Sequence, residues 1–165
     1  MLHDPTLYCE GFRLAEFSPD RQYRYVLVRR WARDSMLACI GLNPSTADES
    51  VDDPTVRRWV GFARRQGFGG IVVGNLYGYR ATDPRALWSV QDPVGPGNDA
   101  ALRRIGAACR TVLVSWGAVP RCRDRVYDVM ALLRGRNVVS LGRTKAGWPR
   151  HPLYCRADEP LRRWP

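Results

Sequence analysis

Four short polar segments carry the residues best suited to chemistry. They are Gly41-Leu42-Asn43-Pro44-Ser45-Thr46, Asn75-Leu76-Tyr77-Gly78-Tyr79-Arg80, Ser115-Trp116-Gly117, and Gly142-Arg143-Thr144-Lys145 with Arg150-His151-Pro152-Leu153-Tyr154 beyond it. Amides, hydroxyls, aromatic rings and arginines of this kind can orient water, read a polar edge, stack on a flat ring and hold phosphate. The amide of Asn43 does not titrate usefully and is no strong base, but its carbonyl can orient a water, and Pro44 stiffens the turn that aims it. An asparagine at that place also serves as a plain cap of a β-to-α turn. His3 and His151 are the only histidines, which excludes a zinc enzyme built on histidine. The chain has no Gly-x-Ser-x-Gly elbow and no phosphate-binding G-x-x-x-x-G-K-[ST] loop.

The elements that must position these segments follow from the hydrophobic pattern. Alternating, β-rich runs over 11–17 and 23–31 predict an N-terminal β-hairpin, and the apolar run Met36 to Leu42 predicts a buried central strand that ends abruptly in Asn43-Pro44-Ser45. Asp53-Pro54 predicts a helix start, an N-cap followed by proline at the first helical position. Val56, Trp59, Val60 and Ala63 then recur on one arc, while Arg57, Arg58, Arg64 and Arg65 fall together elsewhere on that helix, a solvated face or a DNA-contacting one. A strand from Gly70 to Leu76, a long loop, a helix from Asn98 to Arg110, a strand from Thr111 to Trp116, a helix from Arg121 to Leu133 and a strand from Asn137 to Leu141 complete the alternation. Short apolar strands between amphipathic helices predict an α/β fold: a three-layer αβα sandwich with a central, mostly parallel four-stranded sheet plus the hairpin, in one domain over 1–165. Ligands of such sheets bind beyond the carboxyl ends of the strands, which is where all four polar segments lie.

Composition narrows the partners. A formal charge of +10 attracts polyanions, because each neutralised phosphate releases condensed counterions, so DNA is the expected partner. Lys145 is the only lysine, and a GC-rich genome explains that ratio better than it explains the excess over 16 acids. Cys9, Cys39, Cys109, Cys122 and Cys155 stand singly, without a C-x-x-C pair, and are expected as buried free thiols. Asp4, Glu10, Arg13 and Glu16 interrupt the first twenty residues and nothing runs eighteen apolar residues in a row, so neither a signal peptide nor a membrane span is expected and the protein is expected in the cytoplasm.

Gly41-Leu42-Asn43-Pro44 resembles the first signature of uracil-DNA glycosylases, especially the mismatch-specific and single-strand-selective branches. Asn75-Leu76 with Arg80 resembles the strand-end asparagine and following arginine of that superfamily, and His151-Pro152 the opening of its second signature, all in the matching order. The segments GLNPSTAD, DDPTVRRW, NLYGYRATDP, SWG and TKAGWPRHPLY together are similar to a family of small bacterial and phage proteins catalogued as a domain of unknown function, over most of 25–155.

The glycosylase resemblance implies a uracil-DNA-glycosylase-like domain that flips a nucleotide and hydrolyses its N-glycosidic bond. That reaction passes through an oxocarbenium-like sugar and an anionic base. Asn43 would orient water at the anomeric carbon, His151 would donate to the departing base, and Asn75 would read the pyrimidine edge, with Leu42, Tyr77 and Tyr79 around the base. Ser45, Thr46, Arg80, Arg143, Lys145 and Arg150 would meet phosphates, and Tyr154 or Leu153 would fill the hole left in the duplex. The chain departs from the pattern after Pro152, where Leu153-Tyr154 replace the usual small residues, and after Asn43, where an acidic stretch replaces an aromatic wall. Asp48 or Asp52 would then bond a hydroxylated substituent or activate the water, while Asp53 is read as a helix-start acid. The expectation is a monofunctional DNA glycosylase, monomeric and without cofactor or metal, acting on a modified pyrimidine: a bulky phage base such as glucosylated hydroxymethylcytosine, in defence, or uracil, in repair. A hydrolase or transferase of free nucleosides, a non-catalytic reader of modified DNA and a repressor-like module are the rivals.

Overall fold

The computed structural model describes residues 11–164, so His3 and Cys9 lie outside the described residues. Among the described residues, seven strands form one sheet in the order β1-β2-β4-β3-β5-β6-β7, with β1 Arg13–Phe17, β2 Arg24–Arg30, β3 Met36–Gly41, β4 Gly70–Asn75, β5 Thr111–Val114, β6 Asn137–Ser140 and β7 Arg162–Arg163. The helices are α1 Pro54–Arg65, α2 Asn98–Ala108 and α3 Arg123–Leu132. The α/β class stands. The expected four-stranded, mostly parallel sheet does not: pairings along β4-β3-β5-β6 are parallel, but β1-β2, β2-β4 and β6-β7 are antiparallel, so the seven-stranded sheet is mixed.

The physical reason lies at the two edges. Every residue of β2 is buried, so its backbone needs partners on both sides, which β1 and β4 supply. The hairpin is therefore part of the sheet. β7 is two exposed arginines held by backbone pairing to Val139 and Ser140, and it has no apolar pattern to announce it.

Successive side chains of each strand point to opposite faces, and the cores divide accordingly. Leu37, Cys39, Ile71 and Val73 face α1, where Val56, Trp59, Phe62 and Ala63 are buried. Ala38, Ile40, Val72 and Val112 face Ala101, Leu102 and Ile105 of α2 and Val129 of α3. Cys39, Cys109, Cys122 and Cys155 are free, buried thiols. Burial holds the Cys39 thiol far above its ordinary value and pushes Cys109 up to about 12, which leaves both as packing residues.

The chain leaves β3 for β4 on one side of it and returns to β5 on the other. A crevice opens where the strand order reverses, outside the carboxyl ends of β3 and β5. The cleft described next occupies that place.

Candidate active site

A cleft of about 630 Å³ opens at these strand ends, and its lining brings together Leu42, Asn43, Ser45, Asn75, His151 and Tyr154 of the expected residues. Asn43 follows β3. Its Nδ2 donates to the carbonyls of Ala81 at 2.8 Å and Pro44 at 3.0 Å, and the Ala81 N–H donates to the Pro44 carbonyl. With both amide protons engaged by backbone, the flip state is fixed and Oδ1 accepts from none of the described residues.

Asn75 ends β4. It is 2% exposed, borders the cleft, and its side-chain amide has no hydrogen-bond partner among the described residues. Its backbone is fixed from behind, because the fully buried Asn98 donates from Nδ2 to the carbonyls of Asn75 and Leu76 at 3.1 Å each. Gly41 makes room in front: a Cβ there would stand 2.8 Å from Asn75 Oδ1 and 3.0 Å from the Trp59 ring.

His151 caps the short 3-10 turn Pro152–Tyr154, its Nδ1 accepting the Leu153 N–H at 3.4 Å. That acceptor role assigns the proton of the neutral ring to Nε2. Burial pushes the imidazole below its ordinary value of 6.5, with the charge of Asp53 opposing, so the ring is neutral at neutral pH. Gly117, at φ +82°, turns the end of the β5 loop against the His151 Cβ, 3.5 Å from where its own Cβ would stand.

The turn bearing His151 is clamped to α1. Arg58 donates from Nε to the Pro152 carbonyl at 3.2 Å and from Nη2 to the Cys155 carbonyl, and Arg150 donates to the Tyr154 carbonyl. Arg58 thus serves the fold rather than an open cationic face, whereas Arg64, stacked 4.6 Å over the Trp31 ring, remains exposed with Arg57 and Arg65. Leu153 and Tyr154 project from this clamped turn at 45% and 77% exposure.

Among the lining residues not anticipated as site residues are Arg24, Asp53, Trp59 and Trp88. Arg24 is 2% exposed and donates to the Ala47 carbonyl at 2.6 Å; burial brings its guanidinium down to about 10, with Asp53 opposing, and it stays a cation at neutral pH. Asp53 is buried and N-caps α1, Oδ1 accepting the Val56 N–H at 2.9 Å. Its helix-start role is as expected; its position in the cleft wall is not. Trp59 donates from Nε1 to Ser115 Oγ at 2.9 Å, and Trp88 stands edge-on to Tyr77 with ring centroids 5.7 Å apart. With Trp116 these indoles give the cleft an aromatic lining, which the residues after Asn43 do not supply. The pattern that could have revealed Trp59 was read as core, and it is core on its other side.

The remaining expected residues lie elsewhere. Asp48 is not in the cleft wall: its Oδ1 accepts the N–H groups of Ser50 and Val51 at 2.8 Å each, and these bonds hold its carboxyl below the ordinary value. Asp52 is paired with Arg29 at 2.7 Å and Arg13 at 2.9 Å. Tyr77 is a core residue, its hydroxyl pushed well above the ordinary value by burial, and Tyr79 packs edge-on to Tyr23 at 5.8 Å. Thr46, Tyr79 and Arg80 line a separate depression of about 300 Å³ with Arg21 and Gln22, which meets the cleft at Ser45, Ala81 and Thr82. Arg143 lies 4.9 Å over the Trp164 ring, and Lys145 is exposed on the same loop.

The arrangement offers a neutral hydrogen-bond donor, two amides with open groups, a buried cation and a buried carboxylate between aromatic walls. Among the described residues no three His, Cys, Asp or Glu stand together as a metal site, and no helix is long and apolar enough to cross a membrane. Residues 24–153 match the family model described as Protein of unknown function (DUF1643). No curated protein and no solved structure matches the chain.

Proposed function

The chain belongs to this DUF1643 family, whose model covers its cleft from Arg24 to Leu153, and we propose that it is a monofunctional DNA glycosylase that flips out a modified pyrimidine and hydrolyses its bond to the sugar. The observation that carries the reading is the meeting of Asn43, Asn75 and His151 in one cleft, each with a polar group free to face a ligand. Hydrolysis at the anomeric carbon leaves an electron pair on the base, and a donor placed where that charge develops lowers the barrier. The Nε2–H of neutral His151 is such a donor. Asn43 Oδ1 orients the water on the sugar side, and the unpartnered amide of Asn75 reads the pyrimidine edge by one donated and one accepted bond.

Two further features fit a nucleotide drawn from a duplex. Tyr154 and Leu153 are exposed on a turn held by Arg58 and Arg150, a rigid apolar projection able to occupy the vacated stack. The depression holding Arg21, Ser45, Thr46 and Arg80 borders the cleft and suits the phosphate next to the flipped sugar. A cleft of about 630 Å³ has room for the flipped sugar and for a pyrimidine with a bulky substituent, such as glucosylated hydroxymethylcytosine excised in antiviral defence. On this reading the protein works as a cytoplasmic monomer with a uracil-DNA-glycosylase-like domain.

The test is incubation of the purified protein with DNAs containing uracil, a thymine mismatch, hydroxymethylcytosine or glucosylated hydroxymethylcytosine, followed by alkaline cleavage at abasic sites. Release of one base, lost in Asn43→Ala, is expected. Salt-sensitive binding without release from any substrate would instead make the protein a reader of modified DNA, and absence of DNA binding would turn attention to free nucleosides.

A further inference from the structure

We infer that Asp53, besides capping α1, is the catalytic carboxylate that takes the proton from the attacking water; this rests on the glycosylase reading and adds to it a residue that Asn43 cannot replace. An amide orients water but accepts no proton. Four acids of the segment 48–53 were open to that task by residue type, and their places separate them: Glu49 is exposed, paired with Arg21 and absent from the cleft wall. Asp48 and Asp52 stand outside the cleft wall, one folded onto its own loop and the other tied to Arg29 and Arg13. Asp53 lines the cleft with Asn43 and His151 and is 8% exposed. Only its Oδ1 is engaged, by the Val56 N–H, and Oδ2 accepts from no described residue.

The surroundings suit a carboxylate that must be anionic yet unpaired. Asp53 caps the N-terminus of α1, whose partial positive charge favours an anion, and it shares the cleft wall with the buried cation of Arg24 and with His151. In the reaction a lone pair of the water oxygen forms the bond to C1′ while the C1′–N bond breaks. The bonding pair leaves with the base, whose charge the His151 Nε2–H meets, and one water proton passes to Asp53 Oδ2. That proton later moves to the base or to solvent, giving an abasic sugar, a free base and the original carboxylate. Before the proton moves, the negative charge also faces the cationic sugar.

Asp53→Asn keeps an acceptor for the Val56 N–H, since asparagine is as good an N-cap as aspartate, so the fold is preserved; Asp53→Ser serves as a second uncharged cap. Two readouts decide. In single-turnover assays both variants are expected to release base at least about 100-fold more slowly than the wild type. In binding assays the wild type is expected to hold DNA with a cationic pyrrolidine at the abasic position more tightly than DNA with neutral tetrahydrofuran, and both variants to lose that preference while binding the tetrahydrofuran DNA as well as before. A cap alone would leave that preference in place. Variants that release base at the wild-type rate, or that keep the preference for the cation, overturn the role of Asp53 while the glycosylase reading stands. A wild type that releases no base from any substrate overturns both.

Discussion

The floor of the cleft and the acidic loop over 46–52 are both polar in sequence, and they differ in where their polar atoms are spent. In the loop, Oδ1 of Asp48 accepts from two backbone N–H groups and Oδ1 of Asp52 from two arginines, so the acids hold the protein's own chain in shape. On the floor, Asn43 and His151 each use one side of a planar group on backbone and leave the other side open, and Asn75 leaves its whole amide open. A polar group that stands outside the cleft wall and is tied to its own surroundings is not aimed at a ligand; one that lines the cleft and is half engaged is both aimed and available. The contrast assigns chemistry to the floor and architecture to the loop.

The largest effect that would sharpen this contrast is on base release. Asn43→Ala is expected to lower the rate by about 100-fold or more, the scale set by removal of one positioned polar group from an active site. Asp48→Asn, on an exposed loop, is expected to stay within about twofold. Equal losses in the two variants would erase the distinction between the regions. Asp52→Ala should show the opposite profile: the side chain of Arg29 is 4% exposed, and removing its partner leaves a buried charge uncompensated, at a cost of about 3 kcal/mol. Chemical denaturation would measure that loss, and activity per folded molecule should be retained.

Next comes a test of the floor's packing. In Gly41→Ala the new Cβ would meet Asn75 Oδ1 at 2.8 Å and the Trp59 ring at 3.0 Å, and both must shift. Overpacking of this kind costs about 1–3 kcal/mol. Because Asn75 is displaced, the variant is expected to lose discrimination between bases, measured as the ratio of release rates for two substrates, beyond what its stability loss explains. An unchanged ratio would remove Asn75 from base reading.

The strand–helix alternation was legible because its signals are local. The apolar runs of β3 to β6 and the Asp53-Pro54 helix start need no knowledge of the rest of the chain, and the elements found there agree with the expected ones to within a few residues. The β1–β2 hairpin was legible, but its place in the sheet and the far edge were not, because they depend on pairing: the two arginines of β7 look like any exposed tail, and nothing in β2 says that β4 lies beside it. Asn43 and His151 were legible as residues at strand ends or in a short motif. Asp53 was hidden by having an adequate structural explanation already, and Trp59 by facing the core over most of its surface. The acids at 48, 52 and 53 are one residue type within six positions; only hydrogen bonds formed with β1, β2 and α1 tell them apart.

A smaller effect concerns acid. Burial lowers the His151 value in the folded state below its ordinary 6.5, so the unfolded chain takes up the proton first as pH falls. The stability that His151 contributes is fully present above about pH 6.5 and is lost as pH drops through the folded value. His151→Gln is expected to flatten the stability curve over that interval in denaturation measured at several pH values, while the wild type loses stability there. An identical slope in both proteins would place the ring in solvent and take it out of the cleft.

The smallest effect lies outside the floor and the loop alike. Arg143 and Lys145 are exposed on the segment that leads to His151 and are not in the cleft wall. A charge that meets only phosphate contributes to affinity through released counterions and carries no information about the base. The double variant Arg143→Ala/Lys145→Ala is expected to weaken binding alike for modified and unmodified DNA and to reduce the slope of log affinity against log salt by about 1–2. If the slope does not change, the duplex does not run over this loop. The track is then expected to cross the depression that Arg21 and Arg80 line with Ser45 and Thr46, and alanine substitutions of those two arginines should produce the missing loss.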